Sequence, residues 1–238
     1  MNEIMLVIPV TGKGLYEERV KYLEKVGMDV DVSIIEKGSS SIECFYDTSL
    51  SVPDTLRKIE EAEKKGYKAV VIDCACDPAL QPARERVDIP VLGPGQTSML
   101  TAMSLGGRFS LLTVTKNVVG EYWHNIHAYG LSDNVASIKV IDVPVLDLHE
   151  KKDEVMRQLI ERSIEAIEKD GASVLIIGCT GMAFLKDELQ QRLKNKGYDI
   201  PIIDPILTTL NYAQMLIRLG LKQSRIDYMK PPEKERTC

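Results

Sequence analysis

The sequence predicts an α/β protein of two pseudo-symmetric lobes, each built on a mainly parallel sheet. Short apolar runs alternate with longer amphipathic, charged stretches along the chain. The runs are continuous in Val, Ile and Leu, as strands buried on both faces require. The second half also repeats the pattern of the first, the mark of a duplicated unit.

The predicted strands are IMLVIPV (4–10), MDVDVSII (28–35), AVVIDC (69–74), FSLLTV (109–114), SIKVIDV (137–143), SVLIIGC (173–179) and IPIID (200–204). Between them the amphipathic stretches predict helices over 15–26, 52–65, 78–86, 98–105, 118–129, 152–169, 182–196 and 208–219. The Glu/Lys alternation of KIEEAEKKG is the wet face of one of these helices. Asp77-Pro78 reads as an N-cap followed by proline at the first helical position.

The repeat can be read residue by residue. GYKAVVIDC runs from Gly66 to Cys74 and GASVLIIGC from Gly171 to Cys179, so each cysteine follows its glycine by eight positions. DIPVLGP, from Asp88, is answered by DIPIIDP, from Asp199, and IMLVIPVT by RFSLLTVT. The expected division is a first lobe of 1–105 plus 206–228, a second lobe of 106–205, and a charged, proline-rich tail of 229–238 that carries Cys238.

Composition narrows the function. With 30 Lys+Arg against 35 Asp+Glu there is no global basic field for nucleic acid or an anionic membrane, and a small-molecule substrate is expected. No apolar run reaches spanning length, and the N-terminus lacks a basic segment ahead of its short apolar run. The five cysteines are an odd number, which favours free thiols in a reducing cytoplasm over a disulfide framework. His124, His127 and His149 share no short ligand pattern with a cysteine, so no metal site is expected.

The chemistry follows from where the repeat puts its cysteines. In parallel α/β sheets ligands bind beyond the carboxyl ends of the strands, and Cys74 and Cys179 both fall there. A helix N-terminus just behind each thiol would lower its pKa from the ordinary ~8.5. Two such thiols facing one cleft supply an acid and a base on opposite sides of a carbon, which is what inversion of a stereocentre requires. A lone buried cysteine is more often core filler, but a matched pair at matched strand ends favours catalysis. Bare N–H groups at Thr180 and Gly181 could hold a substrate oxygen, or simply form a tight turn. Ser41 and Thr11 could donate to a ligand or satisfy local backbone. Lys116 reads as solvated, Trp123, His124 and His127 as a packing or oligomer face, and His149 as exposed.

IDCACDPALQPARERVDIPVLGPG and IIGCTGMA resemble the two catalytic segments of hydantoin racemases in the aspartate/glutamate racemase superfamily. GSSSIE, RFSLLTV and PIID with the following helix to LGLKQS fall in the order that family shows. The resemblance spans residues 4 to about 228 and implies two flavodoxin-like lobes with the site between them. It implies cofactor-independent racemisation by Cys74 and Cys179 of a carbon acid such as a 5-substituted hydantoin, in a homo-oligomer. Alternatives are another reaction of the superfamily (amino-acid racemase, maleate-type isomerase or decarboxylase) or a ligand-binding protein without turnover. Substrate contacts are implied at Pro9, Thr11, Ser41, Ala75, Thr113, Thr180 and Gly181. The cysteine, two variable residues, Asp-Pro pattern selects Cys74 over Cys76, which is left to packing. Departures are Val7-Ile8-Pro9-Val10-Thr11 for the family's Ile-Asn-Pro-Asn-Thr, Gln96 and Gln214 for glutamates, and Gly181 where the amino-acid racemases carry histidine after Cys-Thr.

Overall fold

A computed structural model describes residues 2–236; Cys238 lies outside them. The first half runs β1 (Ile4–Ile8), α1 (Leu15–Lys25), β2 (Asp31–Ile34), α2 (Phe45–Lys64), β3 (Ala69–Ile72), α3 (Leu80–Arg86), β4 (Val91–Leu92) and α4 (Pro94–Leu105). The second repeats it as β5 (Phe109–Thr113), α5 (Val119–Ala128), β6 (Val135–Val140), α6 (Lys152–Glu168), β7 (Val174–Ile177), α7 (Lys186–Lys194), β8 (Ile202–Ile203) and α8 (Pro205–Leu219). Two four-stranded sheets result, ordered β2-β1-β3-β4 and β6-β5-β7-β8, with every pairing parallel. This is the doubly wound, flavodoxin-like order, present twice.

Burial explains the apolar runs. Strands β1, β3, β5 and β7 are buried at every residue, whereas β2 and β6 lie at the edges and are only partly covered. Successive side chains point to opposite faces of a strand. Ile4, Leu6, Ala69 and Val71 therefore pack under Tyr22 and Leu23 of α1 and Ile206 and Leu210 of α8. Met5, Val7, Val70 and Ile72 meet Ile59 of α2 and Leu80 of α3 on the other face.

The last helix of each half crosses over. Helix α4 packs on β5 and β7 of the second sheet, placing Met99 and Ala102 in that lobe's core, while α8 packs on β1 and β3 of the first. The two helices also pack against each other.

Several boundaries differ from the sequence reading. The Val91-Leu92 pair of DIPVLGP is a strand, too short for periodicity to reveal. Helix α2 begins at Phe45 rather than at residue 52, because Asp47 reaches back to the Glu43 N–H at 3.1 Å and seals the end, and Pro53 is carried inside the helix. The carbonyl of Ser49, which proline leaves without a donor, lies on an exposed residue that water can serve.

Asp77 does not cap α3, whose N-cap is Ala79. Its carboxylate instead accepts from the N–H groups of Gly95 (2.8 Å) and Gln96 (2.7 Å) and caps α4, where Gly93 occupies the N-cap position without a capping side chain. Gly95 is required here: a Cβ would strike the Ala75 carbonyl and the Asp77 carboxylate. The second half solves the same problem directly, with Asp204 at the N-cap of α8 accepting from Leu207 N–H at 2.9 Å. Each buried acid also accepts from a tyrosine of the other repeat's structure, Tyr129 for Asp77 at 2.7 Å and Tyr22 for Asp204.

Burial pushes the Asp77 carboxyl from 3.8 up to about 6. Between those values the folded chain holds a proton that the unfolded chain has released, so the stability this group contributes is full below 3.8 and falls as pH rises towards about 6. The difference in unfolding free energy between wild type and Asp77→Asn, from urea melts, is therefore expected to be larger at pH 4 than at pH 7 by about 2 kcal/mol, at about 1.4 kcal/mol per pH unit, somewhat less than the whole shift because pH 4 already lies inside the window.

Candidate active site

Parallel pairing ends β3 at Ile72 and β7 at Ile177, and each cysteine follows two residues later, Cys74 and Cys179. Both line one cavity of about 90 Å³ between the lobes. Apolar walls come from Ile8, Val10, Leu15, Ile42, Val145 and Phe184. A smaller cavity of about 30 Å³ adjoins the same two cysteines and is lined also by Ala75, Cys76, Thr113 and Thr180.

A buried ion pair holds the two cysteine loops together. Arg19 of α1 lies on that helix's buried stripe with Tyr22 and Leu23 and forks onto Asp73, at 2.5 Å from Nε and 3.0 Å from Nη2. Nη2 also donates to the Thr180 carbonyl at 3.0 Å, and the Thr180 hydroxyl donates to the Asp73 carbonyl at 3.3 Å. The neighbours of Cys74 and Cys179 are thus tied to each other across the lobe boundary. A charged pair this deeply buried needs both partners and such added hydrogen bonds to offset its desolvation.

The expected lowering of the thiol pKa by helix N-termini is not found at Cys179. Burial pushes this thiol from 9.0 up to about 12, outweighing the Gly181 N–H that points to its sulfur. The segment behind it, Thr180–Leu185, is a 3₁₀ helix, with α7 starting only at Lys186. Behind Cys74 the chain turns through positive φ at Asp77 and Ala79 before α3 begins at Leu80. Helix α3 thus starts six residues after Cys74, beyond the reach of a helix field that fades within one turn, and at Cys179 the 3₁₀ N–H that reaches the sulfur is outweighed by burial. Cys76 is buried in the core, and contact with Cys74 and burial push its thiol well above the ordinary thiol range.

Of the substrate contacts implied by resemblance, Ser41, Thr180 and Gly181 line the main cavity and Ala75, Thr113 and Thr180 the smaller one. Pro9 and Thr11 line neither, and Thr11 Oγ1 donates to the Ser39 carbonyl at 3.3 Å. His149, read as exposed, stacks on Phe184 with ring centroids 4.3 Å apart and lies 3.1 Å from Glu18, all three residues lining the cavity. Arg19 and Glu18 were not singled out from sequence. The available signal was Asp73, an acid inside a run buried on both faces, which demands a buried cation. Among the described residues no three His, Cys, Asp or Glu side chains gather closely enough to hold a metal, and no helix is long and apolar enough to cross a membrane.

A doubly wound sheet repeated about one cavity, with a thiol delivered from each repeat, is the frame of an α/β enzyme working at a cleft. The chain belongs to the Asp/Glu/Hydantoin racemase family, whose model matches residues 4–213, and is thereby an isomerase of the racemase type. It is 33% identical over 198 residues to a hydantoin racemase of Pseudomonas sp. (strain NS671), covering 83% of this chain and 78% of the relative. A hydantoin racemase of Rhizobium meliloti is 34% identical over 188 residues, covering 79% and 76%. Among solved structures, an allantoin racemase from Klebsiella pneumoniae superposes with a TM-score of 0.91 at 28% identity, covering 100% of this chain and 97% of its own.

Two measurements test this arrangement. Arg19→Met, which leaves Asp73 buried and unpaired, is expected to lose about 3–5 kcal/mol in urea unfolding, and Arg19→Met with Asp73→Leu clearly less. The alkylation rate of Cys179 by iodoacetamide, followed by peptide mass spectrometry, is expected to rise by about tenfold per pH unit through pH 10 without the plateau of an ordinary thiol.

Proposed function

We propose that the protein racemises a 5-substituted hydantoin or a closely related carbon acid, with Cys74 and Cys179 as the two proton-transfer groups. The observation that carries this reading is that equivalent cysteines of the two repeats line the same cavity. Similarity to hydantoin racemases and to an allantoin racemase supports the substrate class. So does the charge of the cavity wall: among the described residues its one lysine or arginine, Arg19, is committed to Asp73, which leaves neither a lysine nor an arginine for a substrate carboxylate.

In one direction Cys74 enters as thiolate and removes the proton from the stereocentre, forming an S–H bond as the C–H electron pair passes into the adjoining carbonyl. Cys179, which burial keeps protonated, donates its proton to the opposite face, and the carbonyl reforms as that pair makes the new C–H bond. The product leaves Cys74 as thiol and Cys179 as thiolate, the state that accepts the other enantiomer. In this scheme the transient oxygen charge is met by donors lining the cavities, for which the Thr113 hydroxyl beside the two cysteines is a candidate, the Thr180 hydroxyl being committed to the Asp73 carbonyl. No cofactor or metal takes part in this scheme. We further propose that the protein works in the cytoplasm as a homo-oligomer, for which the exposed Tyr212, Met215 and Leu219 of α8 supply an apolar face.

The test is deuterium uptake at the stereocentre from D₂O, followed for each enantiomer separately. Cys74→Ser and Cys179→Ser are each expected to lose racemisation while still exchanging one enantiomer, and opposite enantiomers in the two variants. Cys76→Ala is expected to keep exchanging both. If the two serine variants exchange the same enantiomer at comparable rates, the assignment of two opposed bases fails.

A further inference from the structure

The main cavity has a polar end that the proton transfer does not use. Glu18 of α1 and His149 of the second lobe meet there with Glu18 Oε2 3.1 Å from His149 Nε2, so their pair spans the cleft. Their side chains keep 39% and 48% of their surface exposed, which places them at the rim. Stacking on Phe184 at 14° between the ring planes fixes the His149 imidazole, and with it the face that Glu18 presents. Leu15, Val145 and Phe184 form apolar wall around this end.

We propose that Glu18, held by His149, selects substrates whose side chain ends in N–H donors, such as a ureido, guanidinium or ammonium group. This rests on the reading of the site as a hydantoin racemase. A stereocentre set between Cys74 and Cys179 has both faces taken by sulfur, so its substituent must leave sideways, along the cavity wall. The apolar walls receive the methylene stem, and the rim carboxylate receives the end group. A carboxylate has about four lone-pair sites on its two oxygens, and His149 occupies Oε2, leaving Oε1 to a ligand. Among the lining residues Arg19 is neutralised by Asp73, so the charge a substrate end group meets at the rim is that of Glu18 with its imidazole partner. An anionic end group would meet like charge there and be rejected.

The experiment compares kcat/KM for hydantoins bearing ureidopropyl, aminobutyl, isobutyl or carboxyethyl groups at the stereocentre, at one pH, in the wild type, Glu18→Gln and Glu18→Lys. The wild type is expected to prefer the two donor-ended compounds to isobutyl and to act least on carboxyethyl. Glu18→Gln should lower the aminobutyl-to-isobutyl ratio by about tenfold. Glu18→Lys should raise the carboxyethyl-to-aminobutyl ratio by about a hundredfold, an inversion that a merely structural residue would not produce. Racemisation of the four compounds with ratios unchanged across the three proteins overturns the role of Glu18 and leaves the reaction standing. Failure of the wild type to act on any of them removes the reaction itself, and the selectivity assignment with it.

Discussion

The Arg19–Asp73 ion pair is the constraint on which the site depends. Its two side chains retain 9% and 3% exposure, so each charge has lost its water and must be met by the other and by neighbouring dipoles. That requirement fixes three pieces of chain at once: helix α1, the end of β3 next to Cys74, and the turn that carries Cys179. A hydrophobic contact tolerates sliding, but a fork of hydrogen bonds does not. The separation of the two sulfurs is therefore set by short polar contacts beside them rather than by packing of the lobes at large.

The two repeats are equivalent in outline and unequal in detail, and the inequalities fall at the site. Asp73 precedes one cysteine where Gly178 precedes the other, so a single acid serves both loops. The segment after Cys74 is a turn with positive φ at Asp77 and Ala79, and the segment after Cys179 is a 3₁₀ helix. One closing helix is capped by its own Asp204 and the other by the distant Asp77. A symmetric fold has thus been given an asymmetric floor, on which the two cysteines sit in unlike surroundings.

The sheet-forming runs were legible in the sequence because strands buried on both faces have to be continuously apolar, and the repeat was legible because its cysteines keep their distance from a turn glycine. The pairing of Cys74 with Cys179 in one cavity followed from the same logic. Three things were hidden. Val91-Leu92 is too short to show a period. The capping of α4 by Asp77 joins residues 18 positions apart, whereas Asp-Pro reads locally as a helix start. The roles of Glu18, Arg19 and His149 depend on partners 54 to 161 residues away for Arg19 and across the cleft for the other two, and one-dimensional pattern carries no such distances.

The exchange of closing helices between the halves has a consequence for how the chain is made. The strands of the first sheet are complete at Leu92, yet α8, which covers β1 and β3, begins only at Pro205. Ile4, Leu6, Ala69 and Val71 then lack half their covering until about 110 further residues have been synthesised, a delay of roughly 6–20 s at ordinary elongation rates. During that interval the nascent first half is an unfinished sandwich with an oily face, and its α4 has no second sheet to rest on. The halves cannot mature one after the other as beads on a string. The helix that closes the first sheet is translated only after every strand of the second.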